Sequence, residues 1–437
     1  MRRARYVPAI IRGSQFRRTV GKGTLIMIRH LARSIALVLA GGLSLAAQAA
    51  DQSVDPADWP GVLSKAKGQT VYFHAWGGSD NINRYIEWAG EELLERYGVT
   101  VKQVKLDDTA KAVSAVVAEK AAGRNAGGSV DLVWINGENF AAMKKQGLLL
   151  SPGWAEKLPN WAYVDHENQP TIRTDFTVPT DGMESPWGGA RLVFFHDTAR
   201  TAPDTMPKSA RDLAAWAAKN PGRFSYPQPP DFIGSSFLKQ VLVELIDDPE
   251  KLGGPVDEAS FAADTKPLFD YLDGLHPNLW RQGKAYPKNY PDMKQKLADG
   301  ELDITFAFNP AEASAAIANG ELPDTVRSFV FEAGTLGNTH FVAIPYNANA
   351  KAGALVLADF LMSPEAQARK QDPAVWGDPT VLAMAKLSPE DRAAFAAIDL
   401  GVATLKPEEL GPARAEPHPD WMTRIEAEWI RRYGAAN

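Results

Sequence analysis

Cysteine is absent from all 437 residues. Thiolate nucleophiles, thiolate metal sites and disulfides are therefore excluded, and a chain of this length can build a core without cross-links. Histidine is sparse: seven stand singly at His30, His74, His166, His196, His276, His340 and His418, without the i, i+4 pair of a helical zinc site. No G-x-S-x-G turn is present to raise a serine nucleophile. These gaps leave an exported enzyme, or a metal- or oxyanion-binding receptor, as the weaker readings of the chain. Long apolar runs are missing too, since none approaches the roughly 20 residues of a membrane helix. Internal repeats and low-complexity segments are also lacking.

The chain begins with basic residues. Residues 27–49 read MIRHLARSIALVLAGGLSLAAQA, a basic start, an apolar run and a small-residue cleavage site at Ala47-Gln48-Ala49, which together form a secretory signal peptide. Residues 1–26 precede a complete signal and read as an over-long gene start. Removing 1–49 takes away nine Lys or Arg and no acid, leaving 38 basic against 53 acidic groups and a net charge of −15. Such a balance argues against nucleic acid and against anionic membrane surfaces as partners.

The remaining length accommodates two lobes. The stretch VYFHAWGGSD, from Val71 to Asp80, reads as a buried strand, a glycine turn and a helix start. A helix is expected over 81–97, capped by Ser79 or Asp80 and ended by Gly98. Two more strand–helix units follow, with strands over 99–105 and 130–136, so parallel strands with right-handed crossovers are expected. Their carboxyl ends are Trp76-Gly77-Gly78, Leu106-Asp107-Asp108 and Asn136-Gly137-Glu138-Asn139.

Residues 151–180 read as a wrapping loop. A turn over 184–190 then leads into a strand over 191–195, with a helix over 213–220. A second unit group puts a strand over 224–226, then QPPDFIGSS, then a helix over 237–246 with Ser235 and Ser236 as caps. Later strands are expected over 302–308 and 339–344, and helices over 293–299, 311–319, 353–362 and 420–433.

The order of these parts resembles the extracellular solute-binding proteins of ABC importers. The resemblance is carried by PWGGARLVFF (Pro186 to Phe195), DITFAFNP (Asp303 to Pro310) and above all NTHFVAIPYNANAKAGALVLADFLMSPEAQ (Asn338 to Gln367). FHAWGGSDNINRY and PPDFIGSSF are similar to a YnjB-type branch near the thiamine- and iron(III)-binding proteins. The resemblance implies an α/β protein of the type II periplasmic binding fold, with two lobes, a hinge and an interlobe ligand cleft. Lobe 1 would take 50–186 and 325–370, and lobe 2 would take 187–324 and 371–437. It also implies a monomer in the periplasm, a small-molecule ligand, an ABC permease as partner, no cofactor and no catalysis. Iron(III) binders of this superfamily carry adjacent tyrosines, whereas the eleven tyrosines here are never neighbours.

Strand ends and helix starts are where a ligand would sit. The candidates are Trp76, Gly77, Gly78, Ser79, Asn136, Glu138 and Asn139 from the first lobe, with Trp187 at the crossover. Tyr226, Asp231, Phe232, Ser235 and Ser236 come from the second, with Asn309 and Asn338 at later crossovers. Rings mixed with carboxylates suit a cationic or zwitterionic solute, thiamine-like among others, and the helix starts suit an anionic end. Each residue has a structural alternative. Trp76 and Trp187 would serve as core, Asp231, Ser235 and Ser236 as caps, and Glu138 as a first-turn helix acid.

Overall fold

The computed structural model describes residues 54–406 and 409–434. The long start and the signal peptide lie outside the described residues. Helix α1 (Trp59–Ala66) leads into β1 (Thr70–Trp76), α2 (Asp80–Tyr97), β2 (Thr100–Leu106), α3 (Ala110–Ala121), β3 (Leu132–Ile135) and α4 (Glu138–Lys145). The strands are parallel as expected: β2 pairs β1 from Thr70↔Thr100 to Trp76↔Leu106, and β3 pairs its other side at Phe73↔Leu132. Helix α2 buries Ile82, Tyr85, Ile86, Ala89 and Leu93, and Gly98 ends it in the left-handed conformation (φ +67) that glycine adopts without strain. Ser79 occupies the N-cap position, but its side chain accepts no helix hydrogen bond.

A ribbon of β4 (Thr174–Asp175) and β5 (Val178–Pro179) interrupts the wrapping loop. Strand β6 (Glu184–Arg191) follows, where a turn was expected, and then β7 (Val193–Asp197). Gly188 belongs in a strand because Asp378 and Lys370 pack against it, so that a Cβ there would collide with both. Helices α5 (Ala210–Lys219) and α6 (Phe232–Leu245) come next. Residues 224–226 form no strand: the Phe224 carbonyl accepts from Trp280 N at 2.9 Å, in a loop contact. Helix α6 starts five residues earlier than its serines indicated, because Asp231 is the cap, accepting from Ile233 N and Gly234 N.

The remaining elements are α7 (Phe261–Asp264), α8 (Lys266–Leu275), α9 (Tyr290–Ala298), β8 (Ile304–Ala307), α10 (Glu312–Ala318), β9 (Val326–Phe329), β10 (Thr335–Ala343), α11 (Lys351–Leu361), α12 (Pro364–Gln371), α13 (Pro389–Ala396), β11 (Ala413–Arg414) and α14 (Pro419–Tyr433). The larger sheet has the order β11-β10-β3-β1-β2 with β6 also paired to β10, and a smaller sheet has the order β8-β7-β9.

Apolar side chains gather accordingly. Val71, Phe73 and Ala75 of β1 face a core shared with α2, α11 and Trp187, while Val133, Ile135, Phe140 and Met143 fill the opposite face of the same sheet. A separate core surrounds the smaller sheet, with Phe194, Phe224, Tyr226, Phe237, Phe306 and Trp429. Two stretches pack differently from the expected lobe division. Val326, Phe331 and Leu336 belong to the core of the smaller sheet, and Trp376, Val381, Leu387 and Phe395 to that of the larger. Strands β6 and β10 run antiparallel from Gly337↔Arg191 to Ala343↔Glu184 and pass from one core to the other. Gln367, in the SPEAQ segment, ties this crossing in place, donating to Trp187 O at 2.8 Å and accepting from Val381 N at 3.0 Å.

Candidate functional site

The turn after β3, the tip of the β4–β5 ribbon and the first turns of α6 come together at Phe176 and Lys239. On the larger-sheet side, Gly77 N donates to Leu106 O at 2.8 Å, and Asn83 Nδ2 donates to Gly77 O at 3.1 Å, so the first turn is pinned to β2 and α2. Gly77 and Gly78 are required locally, since a Cβ would meet the Lys105 side chain at one and the Trp76 ring at the other. The turn after β3 has Gly137 at φ +57, with its N–H on Asp175 Oδ2 at 2.7 Å and the Phe176 ring where a Cβ would stand. Glu138 then begins α4, with Asn139 Nδ2 on its Oε1 at 2.8 Å. Helix α4 packs against α14, bringing elements from the two sides together.

From the smaller-sheet side, α6 presents Phe232, Ser235 and Lys239 at i, i+3 and i+7, one face of the helix. Ser235 Oγ donates to Glu426 of α14 at 2.6 Å. Lys239 is buried, and its Nζ lies 2.6 Å from Glu416, 4.1 Å from the Phe176 ring centre and 5.5 Å from that of Phe232. Asn338 of β10 donates to Glu416 at 3.3 Å.

Carboxyl groups are numerous at this junction. Burial pushes the Glu138 carboxyl up to about 7, with Glu426 and Asp108 adding to the rise and Lys239 opposing it. Burial likewise raises Asp231 to about 6, with Asp108 contributing, and raises Asp175, Glu416 and Glu426. Asp108 contributes to the rise at Glu138, Asp231 and Glu426 alike.

The sequence candidates divide into three groups. Glu138, Phe232, Ser235 and Asn338 come together through Lys239, Glu416 and Glu426, and Asp231 and Asn139 stand beside them. Trp76, Gly77, Gly78 and Ser79 keep partial exposure at the strand end. The others are held inside the protein. Trp187 is fully buried, edge-on to Phe73, Trp134 and Trp376, and so fills the core role. Tyr226 is fully buried as well, its hydroxyl 2.6 Å from His276 Nε2 and accepting from Trp429 Nε1 at 2.9 Å. Ser236 Oγ donates to Phe232 O at 2.8 Å, Asn309 Nδ2 to Trp376 O at 3.3 Å, and Asn136 Nδ2 to Thr339 O at 2.7 Å, each a structural bond.

Lys239, Phe176, Glu416 and Glu426 were not singled out from the sequence. Lys239 left a signal, as the one basic residue in the otherwise apolar FIGSSFLKQVLVEL. Glu416 left none, because its partner lies 177 positions away. A groove of about 400 Å³ lined by Asp80, Arg84, Gln103 and Lys105 runs along α2 and β2. It is built by the larger-sheet side alone, and Asn83 and Lys105, which border the Gly77 turn, line it too.

The comparisons give the family and the fold. A family model described as bacterial extracellular solute-binding protein matches residues 88–397. Protein YnjB of Escherichia coli strain K12 is 49% identical over 377 residues, which is 86% of this chain and 94% of that protein. Among solved structures, a putative spermidine/putrescine ABC transporter protein from Listeria monocytogenes superposes with a TM-score of 0.58 at 16% identity, covering 84% of this chain and 99% of that one. The periplasmic binding protein AfuA from Actinobacillus pleuropneumoniae, with fructose-6-phosphate bound, gives 0.56 at 17% identity, covering 84% and 99%. These neighbours share the type II periplasmic binding fold. The chain belongs to the bacterial extracellular solute-binding proteins, the family that captures solutes outside the cytoplasm as the binding component of ABC transporters.

Proposed function

We propose that the chain holds a small organic cation or zwitterion between its two cores and passes it unaltered to an ABC permease. The observation that carries this reading is the cluster at the junction, where the Lys239 ammonium lies 2.6 Å from Glu416 and beside the Phe176 and Phe232 rings, with Glu426 held by Ser235 on the same face of α6. Lys239 is paired with Glu416, whereas Glu138, Asp231 and Glu426 are held by neutral donors, Asn139, the first amides of α6 and Ser235, so a positive solute is the partner their charge would favour. The fold by itself does not choose the charge, because one structural neighbour is named for polyamines and another was solved with a sugar phosphate. The acids of this chain favour the first kind.

Strands β6 and β10 serve in this reading as the hinge, and Trp76 to Ser79, Glu138, Asn139, Asp231, Phe232, Ser235 and Asn338 as the cleft lining. The test is thermal shift and tryptophan fluorescence with putrescine, spermidine, thiamine, choline, 4-aminobutyrate and fructose-6-phosphate. At a hundred times its dissociation constant a true ligand adds about 2.7 kcal/mol of stability. A response confined to positively charged or zwitterionic compounds, weakened in Asp231→Asn, is expected. A response to the sugar phosphate alone would overturn the charge assignment.

A further inference from the structure

The ammonium of Lys239 is an organic cation already sitting at the junction. It is 1% exposed, 2.6 Å from Glu416, and has the faces of Phe176 and Phe232 at 4.1 and 5.5 Å. Its charge is also felt by Glu138, Asp175 and Glu426. Rings and carboxylates around a water-excluded ammonium are what a receptor for an alkylammonium group requires. Asp175, 1% exposed, keeps Oδ1 without a hydrogen-bond partner, and Asn338 Oδ1 is likewise unpartnered.

The wall facing Lys239 is held in an uncommon shape. Phe176 and Thr177 adopt left-handed backbone conformations (φ 44 and 69), unusual for an aromatic and a β-branched residue. Such conformations persist only where the surroundings enforce them, and they concentrate at functional sites. Here the Asp175 bond to Gly137 N and the packing of the Phe176 ring over Gly137 hold the ribbon tip toward α6.

We propose that this cage of Phe176, Phe232 and Glu416 is a subsite for a primary alkylammonium group, which Lys239 fills as a tethered occupant in the absence of solute. The proposal rests on the reading of the cleft as a cation site and names where the solute's amino group is received. Lys239 then serves two purposes: it neutralises the buried acids when no solute is present, and it sets the selectivity, because only a cation able to replace a primary ammonium can enter.

Chemical rescue tests it. In Lys239→Ala the occupant is removed, and melting temperature is followed as n-propylammonium chloride is added, with equal sodium chloride as control. The variant is expected to melt below the wild type and to recover by about 3 °C or more over the salt control, while the wild type does not move. Equal behaviour of the variant in amine and in salt would overturn the subsite. Should Lys239→Ala not fold, the same titration on Lys239→Gln decides by the same criterion. Because no solute is needed, the result is separate from the compound panel. Failure of every cation to bind the wild type counts against the cleft reading, and failure of rescue counts against the subsite.

Discussion

Asp378→Asn is expected to cost roughly 3–5 kcal/mol of stability, the largest loss from a near-isosteric change in this protein. Asp378 and Lys370 are both fully buried and lie 2.7 Å apart, and His340 Nε2 is 3.1 Å from the other carboxylate oxygen. Burial pushes the Asp378 carboxyl up, but Lys370 and His340 outweigh it and hold the group below the ordinary range. Burial pulls Lys370 down. Lys370 also donates to Trp187 O, with the Trp187 and Trp376 rings 5.7 and 5.3 Å from its Nζ.

Asparagine keeps the shape and removes the charge, so what remains is an ammonium stranded among tryptophans. The network spans β6 through Trp187 and β10 through His340, the two strands that pass between the cores. Losing it is therefore expected to loosen the crossing as well as lower the stability. Urea unfolding of Asp378→Asn and of Lys370→Met/Asp378→Asn checks this. The double variant should recover part of the loss, because the unpaired charge is gone. A single-variant loss under about 1 kcal/mol would show that the pair is not what holds this region.

Glu138→Gln is expected to stabilise the protein at alkaline pH while weakening solute binding. The folded carboxyl, pushed up to about 7, binds its proton more tightly than in the unfolded chain, where a glutamate titrates near 4.3. The folded state therefore holds more protons across that window, and stability falls as pH rises from about 4 to about 7. Above pH 7 the whole penalty is present. Glutamine removes it, so a gain of about 1–3 kcal/mol is expected at pH 8 and close to none at pH 4.

If Glu138 serves as a solute contact, the same change lowers cation affinity by about tenfold or more, the usual scale for losing a charged hydrogen-bond partner. Unfolding followed at the two pH values, with binding measured at the upper one, checks both effects. An equal stability change at pH 4 and pH 8 would mean that the carboxyl is not perturbed by folding. A stabilised variant with unimpaired binding would remove Glu138 from the site.

The amino-acid order by itself determined the parallel βα units at the start of the chain, because their helices carry apolar residues on one face and end on glycines such as Gly98 and Gly123. It determined the family through the strand, helix and SPEAQ segment, whose Gln367 ties the crossing strand. It also indicated Asp231 as a cap and Glu138 at a strand end. The roles of Trp187 and Tyr226 were decided only by the tertiary structure, since an aromatic residue at a turn reads the same whether its ring faces a solute or three other rings. The strand at β6 was decided there too, because it forms by pairing with Gly337 to Ala343 of β10, far along the chain. The same holds for the Lys239 cage. Local pattern records which face of a helix is apolar, whereas the meeting of Phe176, Lys239 and Glu416 depends on distances across 240 positions that only packing sets.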